Sequence, residues 1–234
     1  MSSTLAGWEV KRRVTDESRL PEAADATKRK LAKKILNLLA IERSWDGVIP
    51  PASGPRLIVA NHRTALDIGV LMERAGGHFL SRDDLAEWPV IGPLAKHGGT
   101  IFVERGNKRS GARAIRAIRR HLADGATVVV YPEGSTYRGD EVRPFLGGAF
   151  SAAKATKAEI LPVGLAYPEG VEFVDMGFMA HVGSIAARPR TPVTVVVGEP
   201  LGMDVEGGKT AAVAAHARNV VQSLVDRARA GFPG

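Results

Sequence analysis

The segment Asn61-His-Arg-Thr-Ala-Leu-Asp67 carries the side chains of this chain that are best suited to proton transfer. An apolar run at 57–60 leads into His62, and Asp67 follows five positions later. A neutral imidazole held by a carboxylate is a ready general base near pH 7. Positions five apart on a helix lie about 140° apart, so His62 must precede the helix and Asp67 must lie in its first turn.

Two observations weigh against reading this pair as catalytic from spacing alone. His78 and Asp83 have the same spacing, and the choice depends on context: His62 follows an apolar strand and precedes a helix start, whereas His78 is expected to begin a strand. A purely structural role also fits, because Thr64 can cap the helix while Asp67 answers from its first turn, as in a capping box. The sequence leaves both roles open.

A second polar cluster follows the β-branched run at 100–103. Three cations, Arg105, Lys108 and Arg109, lie within five residues beside a predicted helix start at Ser110. Cations next to a helix N-terminus can hold a phosphate group. A solvated basic turn is the alternative.

A third polar cluster follows the apolar run at 127–131. Glu133 can accept a hydrogen bond from a substrate hydroxyl or orient an arginine, and Gly134 permits a tight bend or a close approach to a ligand. Ser135 and Thr136 can donate to a phosphate. The G-x-S-x-G pattern of nucleophilic serines is absent, and an ordinary turn is the alternative.

Strand and helix patterns alternate from residue 56 onward, which is typical of an α/β domain. We predict a mixed, largely parallel central sheet flanked by helices, with an N-terminal amphipathic helical segment. Strands are predicted at 57–60, 78–81, 100–103, 127–131, 160–166 and 193–197, and helices at 66–74, 88–97, 110–122, 148–156 and 210–230. Residues 171–182 are ambiguous and are expected to be rich in strand.

Parallel neighbouring strands would bring the three polar clusters into one crevice, because their carboxyl ends lie at the same end of a sheet. We place a domain boundary at residue 50, between a helical, membrane-associating segment at 1–50 and an α/β domain at 51–234.

Composition narrows the possible functions. The chain of 234 residues has no cysteine, which excludes disulfides and zinc–thiolate sites. It has no apolar stretch near the roughly 18 residues of a membrane span, and its first residues lack a signal-peptide core. The net charge of +7 favours an anionic partner.

A helix predicted at 27–45 is the candidate membrane-binding element. Its apolar stripe is Leu31, Ile35, Leu38 and Leu39, roughly continued by Trp45, and five cations crowd its first half. Such a helix can lie on an anionic membrane surface. The alternative is a helix that docks on the core with a charged outer face.

Four ordered segments resemble the sequence blocks of glycerolipid acyltransferases, the lysophosphatidic-acid acyltransferase type that transfers acyl chains to glycerophosphates. The segments are Asn61-His-Arg-Thr-Ala-Leu-Asp67, Phe102-Val-Glu-Arg105, Tyr131-Pro-Glu-Gly-Ser135 and Ile160-Leu-Pro-Val163. They span residues 57 to about 165 with the family's order and spacing.

The resemblance implies that His62 is the base on the acceptor hydroxyl and that Asp67 orients it. It implies that Arg105 binds the acceptor phosphate and that Pro162 lies near the acyl donor. Glu133, Gly134 and Ser135 would complete the acceptor site, and Lys108 is the basic residue that the family pattern has three positions after Arg105. The two polar clusters themselves add Arg109 and Thr136 to the predicted substrate-binding residues.

Several positions depart from the family's pattern. Thr136 stands where an arginine is expected, with Arg138 as a possible substitute, and Leu146 stands where a lysine is common. Thr64 replaces a serine, and Glu104 replaces an aspartate. Because two cationic residues of the family pattern are absent at their usual positions, the identity of the acceptor stays open.

The predicted function is transfer of a fatty acyl chain from acyl-CoA or acyl carrier protein to the hydroxyl of a lysophospholipid. The acceptor expected first is 1-acylglycerol-3-phosphate, which would give phosphatidic acid, and other lipid, sugar or natural-product acceptors are alternatives. A cytoplasmic location is expected, peripheral on the inner face of the cell membrane, and neither metal nor cofactor is expected. A thioesterase remains a rival, while nucleic-acid binding is disfavoured because the 6% of aromatic residues do not interleave with the basic runs.

Overall fold

The computed structural model of this protein describes residues 20–82, 100–103, 108–203 and 205–232. The described strands form one seven-stranded sheet. Its strands are β1 (Ile41–Asp46), β2 (Arg56–Ala60), β3 (His78–Arg82), β4 (Ile101–Val103), β5 (Thr127–Val130), β6 (Glu159–Ala166) and β7 (Thr191–Val197). Its helices are α1 (Leu20–Leu38), α2 (Leu66–Ala75), α3 (Lys108–Ala123), α4 (Gly148–Thr156), α5 (Phe178–Ala186) and α6 (Thr210–Ala230), with a 3₁₀ turn at Val205–Gly208.

The strands lie in the order β1-β7-β6-β2-β5-β3-β4. All neighbouring pairs are parallel except β6 and β7. The predicted fold class, a mixed and largely parallel sheet flanked by helices, is therefore confirmed. We call the end of the sheet at which β2 and β5 terminate the site end. Because β1 and β7 run antiparallel to the other five strands, they begin at the site end.

Helices cover both faces of the sheet, which explains why the central strands read as continuous apolar runs. The side chains of β2 alternate between the two cores: Ile58 packs with Leu71 of α2 on one face, and Leu57 and Val59 pack with Leu122 of α3 on the other. Every residue of β2 is buried. Because β2 is buried along its whole length and ends two residues before His62, it determines where His62 lies.

The prediction of one helix over residues 27–45 is wrong for the C-terminal part of that range. The helix ends at Leu38, and Ile41–Asp46 forms a strand that pairs in parallel with β7. Leu38 is 81% exposed, whereas Ala32 and Leu36 form the buried face. Since β1 belongs to the sheet, the boundary predicted at residue 50 falls after the first strand of the sheet.

Two of the cations in α1 make internal contacts. Lys28 donates to the Gly77 carbonyl at 2.7 Å, and Arg29 donates to the Ala75 carbonyl at 2.9 Å. Both also pair with Asp25 of the same helix. Cations are favourable at the carbonyl end of a helix, here α2, and this accounts for part of the basic cluster. Lys30, Lys33 and Lys34 are exposed.

Residues 171–182 are not rich in strand, because the first seven are irregular and α5 begins at Phe178. The other predicted strands and helices are present with shifts of at most two residues at their ends, apart from 88–97, which lies outside the described residues. None of the described helices combines the length and apolarity needed to cross a membrane.

Candidate active site

His62 and Asp67 form a hydrogen-bonded pair in the loop between β2 and α2. The His62 Nδ1 lies 2.7 Å from the Asp67 Oδ2, and the carboxylate is fully buried. His62 itself lines a cavity at the site end of the sheet. With Nδ1 engaged by the carboxylate, Nε2 is the ring nitrogen left to exchange a proton with a substrate.

Asp67 also holds the loop that carries the histidine. Its Oδ2 accepts hydrogen bonds from the backbone N–H groups of Arg63 at 2.8 Å and Thr64 at 3.1 Å. The capping role and the histidine-holding role are therefore combined in one carboxylate. This arrangement limits movement of the imidazole relative to the strand end.

Tyr131 fixes the imidazole from its face. The two rings stack with centroids 4.2 Å apart and planes 13° from parallel. Burial raises the pKa of the Tyr131 phenol well above its usual value, and the Asp67 charge adds to the rise. Burial and Asp67 act in the same direction on the pKa of Tyr167. Both phenols therefore stay neutral beside the pair at physiological pH.

Glu133 lies behind the cavity, with its side chain fully buried. Its carboxylate accepts from the His62 backbone N–H at 2.7 Å, from the Arg63 guanidinium at 3.0 Å and from the Arg143 backbone N–H at 2.8 Å. Of the two roles that the sequence left open, orienting an arginine is the one present in this geometry. The carboxylate ties the loop after β5 to the loop after β2.

Gly134, Ser135 and Thr136 line the same cavity as His62. Gly134 has φ of 77°, and a Cβ there would lie 3.0 Å from the Leu146 side chain, so this turn favours glycine. The Thr136 hydroxyl donates to the Phe173 carbonyl, which joins the turn to the segment 173–178 that also lines the cavity.

The predicted phosphate cradle is only partly described. Arg105 lies outside the described residues. Lys108 is the first residue of α3, so the helix begins two residues before the predicted start at Ser110, and Arg109 is exposed in its first turn. The structure therefore brings His62, Asp67 and the Glu133–Thr136 turn together, and it leaves the position of Arg105 relative to them untested.

The cavity has a volume of about 770 Å³, within the range of ligand pockets. One wall is the side of α3 that carries Ala114, Ile115 and Ile118, and another is the segment 173–178. Most of the lining is apolar, and Asp175 is the one carboxylate among the described lining residues. Such a cavity suits an alkyl chain that ends near His62.

Pattern analysis missed two residues that support the site. His181 of α5 is 1% exposed, and its Nε2 lies 2.8 Å from the Thr64 hydroxyl. Its ring stacks on Phe173 with centroids 4.8 Å apart, and burial lowers its pKa despite the opposing Asp67 charge. Arg63 was visible only as the residue after His62. A histidine within an apolar segment was the only sequence signal for His181.

The competing histidine lies elsewhere. His78 begins β3, next to Val128 at the start of β5, and its ring stacks on His121 with centroids 3.8 Å apart. Its position is thus near the opposite end of the sheet from His62. Asp83 lies outside the described residues. Within the described part of the chain, no cluster of three or more potential metal ligands is found.

Comparison with known proteins places this geometry in a family. The sequence profile of the Acyltransferase family matches residues 20–166. The chain is 30% identical to a lyso-ornithine lipid O-acyltransferase from Pseudomonas aeruginosa over 84% of this chain and 78% of that protein. It is 29% identical to a 1-acyl-sn-glycerol-3-phosphate acyltransferase from Neisseria meningitidis over 63% of this chain and 58% of that protein.

A solved structure has the same fold. The 1-acyl-sn-glycerophosphate acyltransferase PlsC from Thermotoga maritima superposes with a TM-score of 0.77 and 19% identity, covering 98% of this chain and 90% of that one. The match of the family profile extends over more than half of the 234 residues and includes the His62–Asp67 pair and the Glu133 turn. This protein therefore belongs to the acyltransferase family and is an acyltransferase of the glycerolipid type.

Proposed function

We propose that this protein transfers a fatty acyl chain from an acyl thioester to the free hydroxyl of a lyso-lipid, with His62 as general base. The observation that carries the proposal is the His62–Asp67 pair, with His62 lining a largely apolar cavity. An alkyl chain in the cavity would bring its thioester or hydroxyl end to the imidazole.

The proposed reaction needs no covalent acyl-enzyme. The His62 imidazole accepts the proton of the acceptor hydroxyl as the oxygen attacks the thioester carbonyl carbon. The C–S bond then breaks, and the departing thiolate takes the proton from the imidazolium. Asp67 stabilises the imidazolium between these two transfers, and a positioned base of this kind contributes roughly 10²–10⁴ in rate.

In this reaction the role of Asp67, Glu133 and Arg63 would be to position His62. The buried carboxylate of Asp67 holds the imidazole, and the Glu133–Arg63 pair holds the loop that carries it. Gly134, Ser135 and Thr136 would contact the acceptor, since they line the cavity. Arg105, Lys108 and Arg109 remain the proposed ligands of an anionic headgroup.

A lyso-ornithine lipid is the acceptor that we favour. The Pseudomonas aeruginosa relative with that acceptor in its name matches over most of both chains. Thr136 and Leu146 also stand where the phosphate-acceptor family pattern has an arginine and a lysine. The second candidate is 1-acylglycerol-3-phosphate, which Arg105 and its neighbouring cations favour and which the Neisseria meningitidis relative carries in its name.

We also propose that the protein works as a peripheral protein on the inner face of the cell membrane. A lyso-lipid acceptor resides in a membrane, while acyl-CoA or acyl carrier protein would approach from the aqueous side.

The deciding experiment incubates purified protein with a long-chain acyl thioester and each lyso-lipid in turn. Thiol release and the acylated product are measured together, because thiol release without a lipid product would indicate a thioesterase instead. His62→Ala is expected to lose nearly all turnover while its melting temperature stays close to that of the wild type. Turnover retained by His62→Ala would remove the assigned base.

A further inference from the structure

Exposed apolar side chains are concentrated around the mouth of the cavity. Among the described residues, six large apolar side chains are exposed, and four of them lie here. Ile115, Leu146 and Met176 line the cavity, and Met179 follows directly after the lining residue Phe178. Met179 is 77% exposed and Leu146 is 64% exposed. These four residues, Ile115, Leu146, Met176 and Met179, are called the rim.

A basic helix face adjoins the rim. Helix α3 has no acidic residue, and the arginines on its outer side are all exposed: Arg109, Arg113, Arg116, Arg119 and Arg120. Arg119 and Arg120 lie beside His121, which stacks on His78 near the opposite end of the sheet, so only Arg109, Arg113 and Arg116 lie on the half of α3 toward the site end; these three are called the arginine face. Arg113 and Arg116 lie within one helical turn of Ile115, on the half of α3 that begins at the site end. An apolar patch bordered by cations is the composition of a surface that binds anionic lipid.

The basic segment of α1 begins at the other end of the sheet. Lys28 and Arg29 contact the carbonyls of Gly77 and Ala75, which lie just before β3 at the end of the sheet opposite the site. Only the C-terminal end of α1, with the exposed Leu38, reaches the site end, because β1 begins there beside Thr191. The basic half of α1 is therefore remote from the cavity mouth.

We propose that the rim and the arginine face of α3 dock on an anionic bilayer, so that a lipid substrate enters the cavity directly from the membrane. This inference rests on the proposed lyso-lipid acceptor. It places the bilayer against the site end of the sheet, and it makes α3, rather than the lysines of α1, the main electrostatic contact.

A pair of matched charge reversals tests the location. Arg113→Glu/Arg116→Glu on α3 and Lys30→Glu/Lys33→Glu on α1 have the same spacing, the same charge change and exposed positions. Binding to vesicles of phosphatidylglycerol and phosphatidylcholine is measured at about 0.15 M salt, where charges beyond roughly 8 Å are screened. We expect the α3 variant to bind at least about 30-fold more weakly, from about 1 kcal/mol for each cation, and the α1 variant to bind nearly as the wild type does.

The apolar part of the surface is tested with single cysteines, since the chain has none of its own. Met179→Cys lies at the rim, and Val48→Cys, 73% exposed after β1, lies at the opposite end of the sheet. A polarity-sensitive dye on Cys at position 179 should shift to the blue when vesicles are added, and the same dye at position 48 should not.

Equal loss of vesicle binding in both charge-reversal variants, or a loss confined to the α1 variant, would overturn the proposal. So would a dye response at position 48 that matches the response at 179. A change of oligomeric state in the α3 variant, seen by light scattering without any change in vesicle binding, would assign the rim to a second copy of the chain and would also overturn it.

Activity separates this inference from the proposed function. With a short-chain acceptor that is dissolved as monomers, the α3 variant should turn over as the wild type does. Wild-type protein that acylates no lyso-lipid but still binds vesicles through α3 would remove the proposed function and leave the docking surface in place. Normal acyl transfer together with unchanged vesicle binding in the α3 variant would support the proposed function and would remove the docking surface.

Discussion

At the scale of single residues, the candidate base is held on three sides. Asp67 bonds to its Nδ1, Tyr131 stacks on its face, and Glu133 accepts from its backbone N–H. A base works best when little motion is needed to reach the reacting geometry. Asp67 and Glu133, which are not among the residues that line the cavity, therefore bear on activity even though a substrate would not touch them.

The buried Glu133–Arg63 pair gives a stability prediction. Glu133→Gln leaves the Arg63 guanidinium without its carboxylate in a position that is only 3% exposed. We expect the free energy of unfolding to fall by about 3–5 kcal/mol, measured by urea denaturation. The double variant Glu133→Gln/Arg63→Met should lose less than the sum of the two single variants, because the second change removes the unpaired charge.

The control for this prediction is the same substitution in an exposed ion pair. Glu42 and Arg190 lie 3.7 Å apart with side chains more than half exposed, and Glu42→Gln should change stability by less than about 1 kcal/mol. Equal effects of Glu133→Gln and Glu42→Gln would show that the buried pair does not hold the two loops together.

His181 gives a prediction on pH dependence. Burial lowers its pKa in the folded protein below the ordinary value of 6.5, so the unfolded chain takes up this proton at a higher pH than the folded chain does. Stability linked to His181 is therefore complete above about pH 6.5 and is lost as the pH falls below it. For one proton the slope is at most about 1.4 kcal/mol per pH unit.

The variant His181→Phe removes this proton and retains a ring that can stack on Phe173. Its free energy of unfolding should fall less steeply below about pH 6.5 than that of the wild type. The lowered pKa of His121 contributes a similar slope to both proteins, so only the difference between them is informative. Identical pH profiles would contradict the assignment.

At the scale of the elements, glycine sets the distance between a helix and the sheet. A Cβ on Gly164 of β6 would lie 2.6 Å from backbone atoms of Leu224 and Val225 in α6. Backbone atoms cannot turn aside as a flexible side chain can. Gly164 therefore determines how closely α6 packs on the sheet.

We expect Gly164→Ala to destabilise the fold by about 1–3 kcal/mol, because it forces α6 away from β6. The control is Gly183→Ala within α5, where a Cβ would meet nothing within 4 Å. That change should stabilise by about 0.5–1 kcal/mol, since alanine is the better helix former. Thermal unfolding of both variants checks the pair, and a neutral Gly164→Ala would show that α6 tolerates displacement.

The elements also show where periodicity misled. The stripe from Leu31 to Trp45 fits a helix, but the chain turns at Ala40, where φ is 50°, and continues as an edge strand. Pairing with β7 decides this outcome, and β7 lies some 150 residues further along the chain, as the Ile41–Thr191 register shows. Local pattern could not reveal that partner.

At the scale of the whole molecule, the two ends of the sheet differ in chemistry. His62 and the cavity lie at the site end, whereas His78 lies near the opposite end, beside Val128 at the start of β5. His78→Ala should therefore leave acyl transfer close to wild type, measured as kcat/KM on a soluble acceptor. A loss comparable to that of His62→Ala would mean that spacing alone had chosen the wrong histidine.

The sequence alone determined the fold class, most of the element boundaries and the family, because strand and helix periods are local and the four blocks stand in order along the chain. It also proposed His62 and Asp67, which lie close enough in sequence to meet within one loop. Only the tertiary structure decided which buried groups hold the loop that carries His62 and Asp67. Glu133 meets Arg63 across 70 residues, and His181 meets Thr64 across 117. Such pairs depend on how strands and helices pack, and packing between distant segments leaves no periodic signal in the chain.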